Sequence, residues 1–326
     1  LSRKTIGFLL KIGIVAFALF FLYEQLTAKS SVKEFDNDAI LQQINQHYGV
    51  LVVILLMMFL NWFLEALKWR FLISKIEHIS IKRSIRAIFS GITVSAFTPN
   101  RVGEYGGRVF CLEKADRGQA VLITIIGSMA QLVTTIVFGC IGLLFLPKYK
   151  PEFYNMVNSI EFGYPILVFL LVLLSVLIVF LFLNVSLFSA ILSKIKFLSK
   201  YEKYNEVFSF YTSVELAKVL LYSVVRYAVF TTQFFILLQL FEVDIVYVDA
   251  IVLNMTMLFV ISIIPNYFPI FEIAQRGLVA ISLFSLVAVG QEVEIFSATF
   301  IMWVINLLLP ALIGTAFIFT LKFFRK

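Results

Sequence analysis

The chain has 326 residues, of which 61% are hydrophobic and 14% charged, and its formal net charge is +7. This apolar fraction, with a mean hydropathy of +0.96, excludes an ordinary soluble domain. The basic residues lie in short loops between apolar runs, so their excess indicates membrane topology and not nucleic-acid binding. With only 2 cysteines and 2 histidines, we expect no disulfide framework, no metal and no cofactor.

Apolar runs long enough to cross a bilayer, which takes about 20 helical residues, recur along the chain. The predicted spans are 5–26, 48–72, 119–146, 162–185, 214–241 and 295–321. The first run follows Ser2-Arg3-Lys4 and has no small-residue cleavage site, so we expect an uncleaved helix and not a signal peptide. No stretch is long or polar enough for a separate soluble domain, so the sequence predicts an all-α polytopic membrane protein without a catalytic domain outside the bilayer.

Two helical hairpins are predicted between these spans, at 84–114 and 248–289. Each contains a Pro-Asn step that interrupts the helix, and the predicted break residues are Pro99, Asn100, Pro265, Asn266 and Pro269. The first hairpin is too short and too charged on its return arm to cross twice, which favours a re-entrant hairpin buried in protein. The second has longer arms, so re-entry and full crossing both stay open.

Positive charge predicts the orientation of the chain. With both termini in the cytoplasm, the inside segments hold most of the lysines and arginines, and the outside loops hold only Lys29, Lys33, Lys148 and Lys150. We expect an integral protein of a bacterial-type inner (plasma) membrane with both termini in the cytoplasm. If each hairpin returns to the side it left, each half makes three crossings. The halves 1–150 and 151–326 would then form an inverted-topology repeat.

Both break segments are followed by a Glu and, four residues later, an Arg: Glu104 with Arg108, and Glu272 with Arg276. Residues at this spacing face each other on a helix. If Asn100 caps the first return helix, Glu104 lies near its positive end. A charge near the bilayer centre costs about 2.5–3.5 kcal/mol on insertion scales. The pairs either lock the hairpins to neighbouring helices or bind a substrate, and their duplication favours binding.

Two further arginines are candidates for a binding site. Arg101 has no counterpart in the second hairpin and is either a headgroup contact or an interfacial Arg that extends to water. Arg226 is deep in the fifth span, where we expect it to face a wet cavity or an anion. The predicted substrate-binding residues are therefore Arg101, Glu104, Arg108, Arg226, Glu272 and Arg276.

Other residues have structural interpretations. Asn61, Glu65 and Lys68 share one face of the second span. The glycines of the first return helix, Gly103, Gly106 and Gly107, indicate close helix packing. A basic run is typical of a segment that lies against an anionic leaflet, and it consists of Lys75, Lys82, Arg83 and Arg86.

The stretch from Phe97 to Arg108 resembles a flippase-like family that corresponds to the transmembrane region of lysylphosphatidylglycerol synthase and its stand-alone relatives. The family pattern is a Pro, a small residue, then Arg-x-Gly-Glu-x-x-x-Arg, matched by Arg101, Gly103, Glu104 and Arg108. Its second pattern, a Pro/Gly-rich turn before a Glu, is matched by Pro265, Pro269 and Glu272. The resemblance covers nearly the whole chain in span order and implies movement of a lipid between leaflets, without the aminoacyl transfer reaction.

We therefore expect a lipid flippase that moves an anionic or aminoacylated phospholipid, or a lipid-linked headgroup, between leaflets. The expected partner is a membrane lipid and not nucleic acid; a second copy of the chain, in a homodimer, stays open. The alternatives are an intramembrane enzyme that modifies lipid headgroups with Glu104 or Glu272 as general base, and a small-solute or ion secondary transporter. The enzyme is disfavoured by the lack of a metal, nucleotide or nucleophile motif in the sequence.

Overall fold

The computed structural model describes residues 47–159, 162–187, 206–264 and 272–319, and the isolated helical positions Leu9, Ile12, Gly13, Ala16 and Phe20. The α-helices of the main segments are α1 Tyr48–Ile73, α2 Ile81–Ser95, α3 Gly103–Val109, α4 Arg117–Phe145, α5 Pro151–Asn158, α6 Gly163–Leu183, α7 Ser213–Leu240, α8 Tyr247–Ile263, α9 Glu272–Phe284, α10 Glu292–Trp303 and α11 Leu309–Ile318. Short 3-10 turns lie at Pro99–Arg101, Leu146–Lys148 and Glu206–Ser209, and a π-turn at Val304–Leu308 joins α10 to α11.

The described residues contain no strand, and five of their helices are long and apolar enough to cross a membrane. These spans are Tyr48–Ile73, Arg117–Lys148, Gly163–Leu183, Ser213–Leu240 and Glu292–Ile318. They confirm five of the six predicted spans to within a few residues, whereas the predicted span 5–26 falls mostly outside the described residues. The protein is an all-α polytopic membrane protein.

Side-chain caps fix where two of the helices start. Ser80, in an extended conformation, accepts a hydrogen bond from the Arg83 N–H at 3.3 Å and so begins α2. Thr212 begins α7 through a reciprocal capping box, in which Thr212 Oγ1 accepts from the Glu215 N–H and the Glu215 carboxylate accepts from the Thr212 N–H. Each cap satisfies donors that the first turn of a helix leaves without partners.

Packing divides the chain into two compact units. Unit 1 contains 1–127, 265–275 and 300–326, and unit 2 contains 128–264 and 276–299. Each unit therefore draws segments from both halves of the predicted repeat. The inverted repeat of 1–150 and 151–326 stays a prediction.

In unit 1 the centre is α2, which packs against α1, α3 and α11. The stretch from Ala87 to Thr93 is buried throughout, although α2 carries small polar residues. Two hydroxyls join it to its neighbours: Ser84 Oγ donates to the Ala66 carbonyl of α1 at 2.6 Å, and Thr93 Oγ1 donates to the Ala311 carbonyl of α11 at 2.8 Å. Burial in protein on most sides is what a helix too polar for lipid requires.

The first hairpin has the short arms that the sequence predicts. With 15 and 7 residues, α2 and α3 are roughly 22 Å and 10 Å long at 1.5 Å per residue, less than the hydrocarbon thickness. Its end also returns to its start, because the Glu77 carboxylate before α2 accepts the N–H groups of Glu113, Lys114 and Ala115 after α3. The chain thus leaves the hairpin at the end where it entered.

The second hairpin is described on both sides of its break but not within it. Helix α8 ends at Ile263, and Ile264 is extended, as expected for a residue before a proline. The predicted break residues Pro265, Asn266 and Pro269 lie outside the described residues, which resume at Glu272.

In unit 2 the second part of α4 packs closely on α8. A Cβ added to Gly139 would clash with the Phe259 ring, and one added to Gly142 would lie 2.7 Å from Thr256 Oγ1. Helix α4 also stacks on α7 through the Phe138 and Tyr227 rings, whose centroids are 4.8 Å apart. Glycines that admit such contacts are typical of helix packing in membranes.

Candidate functional site

The polar face of α1 is buried within unit 1. Asn61, Glu65 and Lys68 lie on one face because they are spaced by four and three residues. All three are buried, and Lys68 is only 1% exposed. The Lys68 ammonium lies 2.8 Å from Glu65 Oε2 and donates to the Gly127 carbonyl of α4 at 3.1 Å.

Arg108 of α3 joins this face to the first return helix. Its Nη1 donates to Glu65 Oε1 at 2.8 Å, and its Nη2 donates to Glu104 Oε1 one turn earlier. The predicted pairing of Glu104 with Arg108 is therefore confirmed. Arg108 is 3% exposed, whereas the Glu104 side chain is 22% exposed, so Glu104 forms the outer member of the cluster. We call Glu65, Lys68, Glu104 and Arg108 the charge cluster.

Two glycines bring Arg108 to this position. A Cβ on Gly107 would lie 2.7 Å from the Gly91 Cα, and a Cβ on Gly91 would lie 2.9 Å from Arg108 Cγ. The backbones of α2 and α3 therefore touch where the Arg108 stem passes, which places the guanidinium against α1. The packing interpretation is confirmed for Gly107 and Gly103, while Gly106 has its nearest neighbour at 3.9 Å.

The break before α3 differs from the predicted N-cap. Asn100 and Arg101 both have positive φ, 46° and 57°, and α3 begins only at Gly103. The Gly103 N–H is accepted by Thr98 Oγ1 at 2.9 Å. The prediction that Asn100 caps the return helix is thus wrong, because left-handed residues turn the chain there and Thr98 provides the acceptor. Glu104 nevertheless lies in the first turn of α3, near the positive end of the helix.

Arg101 is paired across unit 1 with Glu272. Its Nη2 lies 2.6 Å from Glu272 Oε1, although the residues are 171 positions apart in sequence. The Arg101 side chain is 37% exposed and that of Glu272 is 8% exposed. The pair therefore joins the break in the first hairpin to the first residue of α9 in the second hairpin. Neither alternative for Arg101, a headgroup contact or an interfacial Arg, included this partner.

The other predicted arginines belong to unit 2. Arg226, half-buried on α7, donates through Nη1 to Gln131 Oε1 of α4 at 3.4 Å. Arg276 is half-buried on α9, one turn after Glu272, so the predicted spacing on a helix holds. The structure therefore brings Arg101, Glu104, Arg108 and Glu272 into unit 1, with Glu65 and Lys68. Substrate binding by these residues stays a prediction.

The charge cluster is neutral, with two carboxylates and two cations. Each charge has an opposite partner within hydrogen-bond distance, as burial demands. One donor is left over: among the described residues, Arg108 Nε has no hydrogen-bond acceptor and is buried. No group of three or more His, Cys, Asp or Glu side chains in the described part of the chain could hold a metal ion. The charge cluster can therefore bind oppositely charged groups reversibly.

At the edge of unit 1, Glu77 holds the hairpin closed. Burial would raise the pKa of the Glu77 carboxyl, but the N–H groups of Ala115, Lys114 and Glu113, with the Arg83 guanidinium at 3.2 Å, hold it below its ordinary value of 4.5. The carboxylate therefore stays ionised and fixes the returning chain near α1.

Sequence reasoning missed Glu65 and Lys68 as members of the cluster. The signal was present, because charged residues three apart on one face of a span imply a buried partner. Identifying Arg108 as that partner required the Gly91–Gly107 contact, which joins helices that sequence spacing does not relate.

Comparisons with known proteins identify a family for this chain. No curated protein and no solved structure matches the chain. A family model described as the lysylphosphatidylglycerol synthase TM region matches residues 8–314, nearly the whole chain. The chain therefore belongs to the lysylphosphatidylglycerol synthase TM region family of membrane proteins.

Proposed function

We propose that this protein is a lipid flippase that moves an anionic or aminoacylated phospholipid between membrane leaflets. The observation that carries the proposal is the charge cluster: four charged side chains kept inside a membrane protein, where each is costly unless paired. Membership of a family of lipid-related membrane proteins supports the same substrate class.

Partner exchange is the proposed mechanism. A phosphate is a bidentate acceptor for a guanidinium and can replace a carboxylate without leaving the cation bare. Glu104 is the more exposed partner of Arg108, so we propose that a headgroup phosphate displaces it there. The freed Glu104 carboxylate then accepts the ammonium of an aminoacylated headgroup. With such a headgroup each charge keeps a partner, which avoids leaving an unpaired buried ion, a loss of several kcal/mol. With phosphatidylglycerol, which has no ammonium, the carboxylate set free is that of Glu104, the more exposed partner of Arg108.

The Arg101–Glu272 pair is the proposed outer contact of the same path. It joins the first break to the start of α9, and Arg101 is exposed enough to meet a headgroup before the buried cluster does. Arg226 and Arg276 of unit 2 stay proposed phosphate contacts. The sequence has no nucleotide-binding motif, so we propose that an ion gradient or the lipid gradient drives the movement, with Glu104 or Glu272 as candidate proton carriers.

The test is reconstitution in liposomes that carry a trace of fluorescent phosphatidylglycerol, its lysyl ester or phosphatidylcholine, with a membrane-impermeant quencher outside. We expect the protein to make inner-leaflet phosphatidylglycerol or its lysyl ester accessible faster than phosphatidylcholine. Equal rates for all three lipids, or no rate above that of protein-free liposomes, would contradict the proposal.

The same liposomes discriminate the two alternatives. An intramembrane enzyme would change the mass of the tagged lipid without changing its leaflet distribution, which lipid mass spectrometry detects. A secondary transporter of solutes would load the lumen at a rate independent of the lipid composition. Either result in place of lipid movement would replace the flippase assignment.

A further inference from the structure

A groove on the outside of unit 1 lies between α1 and α2. It has a volume of about 320 Å³ and is lined by Phe59, Leu60, Phe63, Ile85 and Phe89. Phe59, Leu60 and Phe63 are each more than 40% exposed, so the groove opens outward and away from the charge cluster. Its lining is almost wholly apolar.

Basic residues continue the same face of α2 toward its N-terminus. One stripe on the surface of α2 consists of residues spaced by three, one and three positions: Lys82, Ile85, Arg86 and Phe89. Lys82 and Arg86 are exposed, and neither has an ion-pair partner among the residues that the structure describes. Arg83, on a neighbouring face, is instead paired with Glu77 and Glu113.

Depth along the helix matches the layers of a bilayer. Lys82 lies in the first turn of α2, beside the end of the spanning helix α1 at Ile73. Phe89 is seven residues further, which at 1.5 Å per residue is about 10 Å along the helix axis. Cations therefore lie at the level of headgroups, and the aromatic groove lies at the level of acyl chains.

We propose that the α1–α2 groove is a binding site for one phospholipid with an anionic headgroup. An acyl chain occupies the groove, and Lys82 and Arg86 hold the phosphate and the headgroup charge. At roughly 30 Å³ per group, the volume of a water molecule, the groove has room for about ten methylene-sized groups, part of one chain. Charge decides the headgroup, because two exposed cations lie in line with the apolar groove.

This site is separate from the proposed translocation path. It uses none of the charge cluster residues, and it opens to the outside of unit 1. The lipid would remain bound in the groove while another lipid is moved. A variant that destroys the groove site would bind less lipid whether or not the protein moves lipid between leaflets.

The test uses the full chain in nanodiscs and phosphatidylglycerol with a photoreactive group on its acyl chain. After illumination, we expect labelled peptides that contain Phe59–Phe63 or Ile85–Phe89, and weaker labelling by the matching phosphatidylcholine probe. Near an anionic lipid each basic residue changes affinity roughly fivefold, so Lys82→Gln/Arg86→Gln lowers the affinity for phosphatidylglycerol by about 20- to 30-fold.

Two control variants make the result specific. Lys114→Gln/Lys218→Gln removes the same charge from exposed positions off the stripe, and it keeps the wild-type affinity. Leu60→Trp fills the groove and abolishes labelling at α1. Equal loss in both double variants would overturn the proposal, as would equal labelling by the two probes. If the probes do not label the wild-type groove and Leu60→Trp changes the oligomeric state, the groove is an interface between copies of the chain and the proposal is overturned.

Discussion

Arg108 shows how a single residue organises unit 1. It contacts Glu65 on α1 and Glu104 on its own helix, and its stem passes Gly91 of α2. Three helices therefore depend on one guanidinium. A buried charge that loses its partner is destabilising by about 3–5 kcal/mol, so the partners of Arg108 constrain which substitutions the protein tolerates.

Replacing Arg108 with Ala tests this dependence. Glu65 keeps Lys68, but Glu104 loses its cation and two carboxylates face each other without the arginine between them. We expect a loss of about 3–5 kcal/mol in stability, measured as a lower unfolding temperature by tryptophan fluorescence in detergent. Lys148→Ala, which removes the exposed partner of Asp249, is the control and leaves the unfolding temperature unchanged. Equal unfolding temperatures for Arg108→Ala and wild type would rule out this structural role.

Glu77 gives a prediction about pH. Its pKa is lower in the folded protein than the ordinary value of 4.5, so the unfolded state takes up the proton first as pH falls. The stabilisation is complete above the unfolded-state pKa and is lost as pH drops through the folded-state pKa. We expect Glu77→Gln to be less stable than wild type at pH 7, with a difference that shrinks below about pH 4.5.

Unfolding temperatures of both proteins between pH 7 and pH 3 measure that difference. A gap that stays constant, or that widens as pH falls, would show that ionised Glu77 does not stabilise the hairpin.

At the scale of elements, composition and spacing predicted the helices well. Five spans and the short arms of the first hairpin follow from runs of apolar residues, proline breaks and caps, which are local features. The Glu104–Arg108 pair was predictable for the same reason, since four residues make one helical turn. The Arg101–Glu272 pair joins residues 171 apart and depends on packing that no local spacing contains.

The contact between α2 and α3 gives a prediction at this scale. A Cβ on Gly107 would meet the Gly91 backbone at 2.7 Å, so Gly107→Ala pushes the helices apart and costs about 1–3 kcal/mol. Gly106→Ala, on the same helix, is the matched control, because a Cβ on Gly106 would lie no closer than 3.9 Å to any neighbouring atom. We expect only Gly107→Ala to lower the unfolding temperature and to weaken lipid movement. Equal changes in unfolding temperature and in lipid movement for the two variants would show that α2 and α3 do not touch at Gly107.

For the whole molecule, the division into units differs from the division along the sequence. Unit 1 combines the first 127 residues with two segments from the last fifth of the chain, and unit 2 takes the rest. Hydropathy cannot reveal this, because it reports the length of each span and not its neighbours. Charge asymmetry concerns another property, the side of the membrane that each loop faces.

The orientation can be measured with single cysteines. In a Cys111→Ala/Cys140→Ala background, Lys75→Cys reports the α1–α2 connection, and Lys148→Cys reports the end of α4. We expect an impermeant maleimide added to intact cells to label only the Lys148→Cys variant, and to label the Lys75→Cys variant after permeabilisation. The reverse pattern would invert the predicted topology.

The central claim is that the charge cluster carries a lipid headgroup, and a charge-balanced variant tests it most directly. Glu104→Gln/Arg108→Gln removes one charge of each sign, so the cluster stays neutral and the fold is spared an unpaired ion. Lys148→Gln/Asp249→Asn removes, in the same way, a pair that lies outside the charge cluster. In liposomes with fluorescent phosphatidylglycerol, we predict that the first variant moves lipid at least tenfold more slowly than wild type, a change of about 1.4 kcal/mol, and that the second moves it at the wild-type rate. A wild-type rate in a folded Glu104→Gln/Arg108→Gln variant would contradict the account.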